Sequence, residues 1–118
     1  MKILIVEDDA LIAMHLEHLL IESGHAVCAI ARDADLAVEQ GQFHKPDVVL
    51  MDLRLARGTS GSDAARRLHR CHRIRCIFIS GNIDQAARCE LAPFEPIDFI
   101  DKPINPFHLR RALSKVRH

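Results

Sequence analysis

The sequence predicts an α/β domain built on a mainly parallel sheet. Three short apolar runs, Ile3-Leu4-Ile5-Val6, Val48-Val49-Leu50-Met51 and Cys76-Ile77-Phe78-Ile79, lack the alternation of a half-exposed strand. Such runs read as strands buried on both faces. Segments with helical spacing and capping residues separate them, the βα alternation that gives a parallel sheet. Polar side chains stand directly after the strands: Glu7, Asp8 and Asp9, then Asp52, Ser80 and Lys102.

In chain order, Ile3 to Val6 is the first strand. Asp9 is a fitting N-cap for a helix with Ile12, Leu16, Leu19 and Leu20 at helical spacing, closed by Gly24. Ala26 to Ile30 forms the second strand. Asp33 caps a second helix, expected to run to about Gln40 and to close at Gly41, with a weak apolar face of Leu36, Ala37 and Val38. After the Asp52 strand, Ala56-Arg57-Gly58-Thr59-Ser60-Gly61 is a loop by composition. A third helix over about Ser62 to His72 buries Ala65, Leu68 and His72. Cys76 to Ile79 follows as a strand ending in Ser80-Gly81-Asn82. A helix starting near Asp84 is held short by Pro93 and Pro96. Ile97 to Ile100 is the fifth strand. Asn105-Pro106 is an N-cap followed by proline at the first helical position, and Phe107, Leu109, Leu113 and Val116 are expected on the buried face of the last helix.

The bulk numbers exclude several function classes. At 118 residues the chain has the size of one domain and can bury about two-thirds of its unfolded surface. Sixteen basic residues balance sixteen acidic ones, so charge offers no argument for nucleic acid or a membrane surface. Trp and Tyr are absent, which leaves five Phe as the only large stacking platforms. No window approaches the roughly 20 apolar residues of a membrane span, and Ile3 to Val6 is too short for a signal-peptide core. Cys28, Cys71, Cys76 and Cys89 are then expected as reduced thiols of a cytoplasmic protein.

Ligands of open α/β sheets bind at the carboxyl ends of the strands, and there the polar residues collect. Asp52 sits where a central strand leaves the core, so its charge needs compensation. Glu7, Asp8 and Asp52 together raise one another's pKa, which a hard divalent cation relieves; oxygen-only ligands suit Mg2+. Asp52 beside such an ion is a candidate nucleophile towards phosphorus, forming an acyl phosphate. Lys102 is a point-charge phosphate binder, and the Ser80 hydroxyl can donate to a remaining oxygen.

Ile3-Leu4-Ile5-Val6-Glu7-Asp8-Asp9, Val48-Val49-Leu50-Met51-Asp52-Leu53, Ile77-Phe78-Ile79-Ser80-Gly81 and Asp98-Phe99-Ile100-Asp101-Lys102-Pro103, in that order, closely resemble the response-regulator receiver domain. The resemblance spans essentially residues 1–118. It implies the flavodoxin-like (βα)5 fold, a doubly wound five-stranded parallel sheet of strand order 2-1-3-4-5. It implies Asp52 as phosphoacceptor, Asp8, Asp52 and the backbone carbonyl of Arg54 as Mg2+ ligands, and Glu7 as a ligand through water. It also implies Lys102 as the phosphate-binding lysine, Ser80 as switch hydroxyl, Phe99 as switch aromatic, and a cis bond before Pro103. The donor would be a histidine kinase or histidine phosphotransfer protein, docking near His15. The product would be a stand-alone regulator, a monomer or phosphorylation-dependent homodimer, with no output domain after the last helix and no nucleic-acid or membrane partner. It would not be an enzyme beyond promoting its own phosphorylation and dephosphorylation. Ala56 stands where the family has proline, and Glu95-Pro96 where it favours Gly-Ala.

Two other readings compete. A small-molecule aspartyl-phosphate phosphatase needs a second carboxylate two residues after the nucleophile, where Arg54 stands. A pseudo-receiver or phosphate sink would act by binding alone, which the intact Asp8, Asp52, Ser80 and Lys102 argue against. His69, Cys71, His72 and Cys76 suggest zinc only superficially, because Cys76 opens a strand. Arg66, Arg67, Arg70, Arg73 and Arg75 read as a solvated run that complements a helix C-terminus, at the sheet end opposite Asp52.

Overall fold

The computed structural model describes residues 1–55 and 59–116. Ala56, Arg57 and Gly58 of the expected loop, with the substitution of alanine for proline, lie outside the described residues. Five parallel strands, β1 (Lys2–Val6), β2 (Ala26–Ala31), β3 (Val48–Asp52), β4 (Cys76–Ser80) and β5 (Asp98–Asp101), form one sheet in the order β2-β1-β3-β4-β5. Between and after them lie α1 (Ala10–Glu22), α2 (Ala34–His44), α3 (Gly61–His72), α4 (Gln85–Leu91) and α5 (Pro106–Ser114). This is the doubly wound, flavodoxin-like topology that the sequence implied.

Successive side chains of a strand point to opposite faces, and both faces here are buried. Leu4, Val6, Val49, Met51 and Phe78 join Ala34, Ala37, Ala64, Ala65, Leu68 and Leu91 in one core layer. Ile3, Ile5, Val48, Leu50, Ile77 and Ile79 join Ala13, Leu16, Leu20, Leu109, Ala112 and Leu113 in the other. The continuous apolar runs thus follow from helices on both sides. Among the described residues no helix is long and apolar enough to cross a membrane.

The expected caps form. Asp9 Oδ1 accepts from Leu11 and Ile12 N–H, Asp33 Oδ1 from Leu36, and Asn105 Oδ1 from Phe107 and His108. Gly24 takes a positive φ of 87° just past α1. Ser60 Oγ accepts from Ser62 and Asp63 N–H at the start of α3. As expected, α4 is short: seven residues from the Asp84 cap, continued by a 3-10 turn over Ala92–Phe94 that holds Pro93.

Four expectations need correction. α2 does not close at Gly41; it runs to His44 and is capped by Lys45 at φ 49°. Gly41 is buried inside the helix, where a Cβ would stand 2.5 Å from Leu68 Cδ2. It serves the close approach of α2 to α3. Phe107 is not on the buried face of α5 but 77% exposed. The buried stripe is Leu109, Ala112 and Leu113, with Val116 half-buried beyond the helix end, and Phe107 falls roughly 200° from Leu109 on the helix. β5 is shifted by one residue, ending at Asp101 rather than Ile100. His72, expected to be buried, is only half-buried.

Candidate functional site

The carboxyl edges of β1, β3, β4 and β5 bring Glu7, Asp8, Asp52, Ser80 and Lys102 together. Glu7 and Asp52 are 3% and 4% exposed, a costly placement for two acids unless they are compensated. Lys102 compensates both: its Nζ donates to Glu7 Oε1 at 3.0 Å and to Asp52 Oδ2 at 3.0 Å. The other carboxylate oxygens take backbone donors. Asp8 N–H bonds Glu7 Oε2 at 3.1 Å and Arg54 N–H bonds Asp52 Oδ1 at 3.0 Å. Lys102 follows β5 directly, its N–H donates to Ser80 O at 3.0 Å, and the Lys102–Pro103 bond after it is cis, as the resemblance implied.

One lysine does not balance the set. Glu7, Asp8 and Asp52 each offer an oxygen, and these oxygens lie within 4.8 Å of one another. Burial, then the neighbouring Asp52 carboxyl, push the Glu7 carboxyl up from its ordinary 4.5 to about 7, against the pull of Lys102. Burial works against the Lys102 ammonium, but its bonds to Glu7 and Asp52 prevail and hold it above the usual lysine range. A hard cation on an all-oxygen donor set relieves this repulsion, so the residues fit Mg2+. Among the described residues this is the only group of three acidic, histidine or cysteine ligand atoms so close together. The histidine–cysteine set of α3 and β4 is not one: His69 Nε2 pairs with Glu95 Oε2 at 2.7 Å and Cys76 is buried.

Beside Asp52 opens a cavity of about 430 Å³ lined by Asp52, Arg54, Ser80, Gly81, Asn82 and Lys102. Ser80, 7% exposed, accepts Asn82 N–H on its hydroxyl at 3.2 Å. Arg54 is exposed at the rim. Phe99 lies one strand away, stacked on Phe78 with centroids 5.8 Å apart, and the Arg88 guanidinium lies over its ring at 4.5 Å from the centroid. His15 is exposed on α1 and lines a largely apolar groove with Leu11, Ile12, Lys102, Pro103 and Ile104.

Two contributors escaped sequence reasoning. A Cβ on Gly61 would collide with the Asp52 carbonyl oxygen and stand 2.9 Å from Leu53 Cα. Gly61 therefore lets the start of α3 pack directly on the end of β3. Its only sequence signal was a place in a Gly/Ser-rich loop. Arg88 had none, since its partner Phe99 is eleven positions away on another element.

The family pattern described as response regulator receiver domain matches residues 3–114. This chain is a response regulator receiver domain. Similar proteins include the phyllosphere-induced regulator PhyR of Methylorubrum extorquens, 36% identical over 97% of this receiver domain and 42% of PhyR. The chemotaxis protein CheY of Thermotoga maritima is 32% identical over 98% of this chain and 96% of CheY. Among solved structures, PhyR of Brucella abortus superposes with a TM-score of 0.83 at 35% identity, covering 98% of this chain and 46% of that one. The response regulator domain of Thermotoga maritima CheB gives 0.87 at 26% identity, covering 98% and 96%. The receiver domain thus spans less than half of PhyR but nearly all of CheY. Membership places the chain in two-component signalling.

Proposed function

We propose that this receiver domain accepts a phosphoryl group on Asp52 from a phosphohistidine of a kinase or phosphotransfer protein. The observation that carries this is Lys102 bridging Glu7 and Asp52 at 3.0 Å each, on the edge of a cavity of about 430 Å³ that Ser80 also lines. An Asp52 carboxylate oxygen attacks phosphorus in line. The phosphorus–nitrogen bond to the donor breaks, and its electron pair stays on the imidazole. Arg54 N–H holds the other oxygen and fixes the carboxylate plane. Lys102 pairs with a phosphoryl oxygen and Ser80 donates to another, so charge is met by groups already in place.

Asp8, Asp52 and the Arg54 carbonyl would hold Mg2+, with Glu7 acting through water. Bound there, the ion neutralises charge on the phosphoryl oxygens. Turning Ser80 to the phosphoryl group gives up its bond with Asn82. Space then opens behind Ser80, Phe99 moves inward, and the face of α4, β5 and α5 changes. The domain is then a switch that promotes its own phosphorylation and dephosphorylation, not an enzyme on other substrates. Arg54, where a phosphatase of this chemistry would carry a second carboxylate, supports that.

Intact mass after incubation with acetyl phosphate and MgCl2 tests the reading. One added phosphoryl group is expected, absent without Mg2+ and absent in Asp52→Asn. Neither an adduct nor a Mg2+-dependent beryllofluoride complex in the native protein would overturn it and leave a binding module.

A further inference from the structure

The arginines of α3 do more than decorate a helix end. Arg66, Arg70 and Arg73 form one wall of an open groove of about 300 Å³, and Pro93 and Phe94 of the 3-10 turn form the other, with His69 at the floor. We propose that this groove binds an extended acidic segment of a partner protein, one with carboxylates on alternate residues and an apolar side chain between them. It stands apart from the Asp52 chemistry, at the opposite end of the sheet, and does not depend on it.

The far wall is built rather than loose. His69 Nε2 and Glu95 Oε2 lie 2.7 Å apart, and Arg75 Nε donates to the Glu95 carbonyl at 2.6 Å. These bonds tie the Glu95 end of the turn to α3 and to the start of β4. Phe94 packs partly on the core and turns a ring towards His69, centroids 6.4 Å apart. The apolar edge is therefore presented in a set position, which lowers the ordering cost of binding.

The near wall supplies unspent cations. Arg66 is paired with Asp63 at 2.6 Å, and Arg67, on the neighbouring side, with Asp35 at 2.8 Å. Arg70 and Arg73 are exposed, and among the described residues neither makes an ion pair or side-chain hydrogen bond. Arg66 and Arg70, four apart, share a helix face with a step of roughly 6 Å along the axis, and Arg73, the left-handed C-cap at φ 57°, extends this stripe just past the helix end. Alternate residues of an extended chain lie roughly 6.6 Å apart on one side. The stripe thus matches a row of carboxylates better than one compact phosphate, which needs convergent donors. Arginine suits such carboxylates bidentately.

The test is fluorescence anisotropy at low salt with a labelled eight-residue peptide. It carries glutamate at alternate positions, one leucine, and serine elsewhere. Saturable binding is expected, weakened at least about tenfold (1.4 kcal/mol) by R70E/R73E and by replacing glutamate with glutamine in the peptide. R110E/R111E, which changes net charge equally on α5, is expected to leave it within about twofold. Far-UV circular dichroism and acetyl phosphate labelling of R70E/R73E should match the parent, which separates a lost groove from a lost fold. Equal weakening by the two double variants, equal binding of the glutamine peptide, no saturable binding, or tighter binding of a labelled DNA duplex of similar length would each overturn the proposal.

Discussion

Replacing Gly61 by alanine places a methyl where β3 and α3 touch. The new Cβ would overlap the Asp52 carbonyl oxygen and stand 2.9 Å from both the Asp52 carbonyl carbon and Leu53 Cα. All three are backbone atoms, so no side chain can swing aside. Ordinary carbon contacts begin near 3.5 Å, so the start of α3 must retreat by roughly 1 Å. That strains the Gly61 N–H to Leu53 carbonyl bond of 3.2 Å. Overpacking of this kind costs about 1–3 kcal/mol, against a gain of up to about 1 kcal/mol from a stiffer unfolded chain. The expected net loss is about 2 kcal/mol, or roughly 6–10 °C in Tm for a domain of this size. Asp52 sits on the displaced strand end, and a shift near 1 Å can cost up to about a hundredfold in a positioned reaction. Urea unfolding and the rate of acetyl phosphate labelling, read together, check both effects. Gly81→Ala is the control in the same site, since its Cβ meets nothing within 4 Å; it should stay within about 0.5 kcal/mol of the parent. Gly61→Ala with parental stability and labelling would refute the close-approach argument.

Other outcomes follow from the charges and thiols. Lys102→Met leaves two buried carboxylates facing each other without a cation; a loss of about 1–3 kcal/mol is expected, below the full buried-pair penalty because Lys102 is 27% exposed. Millimolar MgCl2 should restore much of it in urea unfolding. The raised Glu7 pKa means that the folded protein holds this proton more tightly than the unfolded chain. Its stabilising share is complete below pH 4.5 and is lost as pH rises through about 7. Metal-free stability measured across that window should therefore fall with pH relative to Glu7→Gln, which removes the titration. Burial pushes the Cys76 thiol up to about 12, so iodoacetamide should label exposed Cys71 and Cys89 and leave Cys76 unmodified until the protein is unfolded.

What was legible in the sequence was whatever depends on near neighbours along the chain. β1, β3 and β4 were visible because a strand covered on both faces cannot afford polar residues, so its apolar run is unbroken. Asp9, Asp33 and Asn105 were visible as caps because each bonds an N–H two or three residues on. Convergence of Glu7, Asp52 and Lys102 was legible only at one remove, from the rule that parallel strands present their carboxyl ends on one edge. Contacts between elements were hidden. Gly41 and Gly61 look like loop or terminator glycines by composition. Leu68 makes the first a packing residue and the Asp52 carbonyl makes the second one, and both partners lie elsewhere in the chain. Phe107 is a different case: it is apolar and near a helix start, but it stands roughly 200° around the helix from buried Leu109 and so faces solvent.

The same distinction explains why the two ends of this sheet differ. At the carboxyl edge, Glu7 and Asp52 are carried out of a core that excludes water, so their charges must be met from within, by Lys102 and by backbone N–H groups. Such a site is strained electrostatically before any ligand arrives, and a cation or a phosphoryl group relieves or redistributes that strain. At the opposite edge the arginines stand on a helix surface, and Arg70 and Arg73 are free to meet an external acid without leaving a buried charge behind. Removing a partner from the first end should therefore destabilise the fold as well as the chemistry. Reversing Arg70 and Arg73 at the second should change recognition alone. The contrast between Lys102→Met and R70E/R73E in one unfolding experiment would separate a site built on buried charge from a surface built on exposed charge.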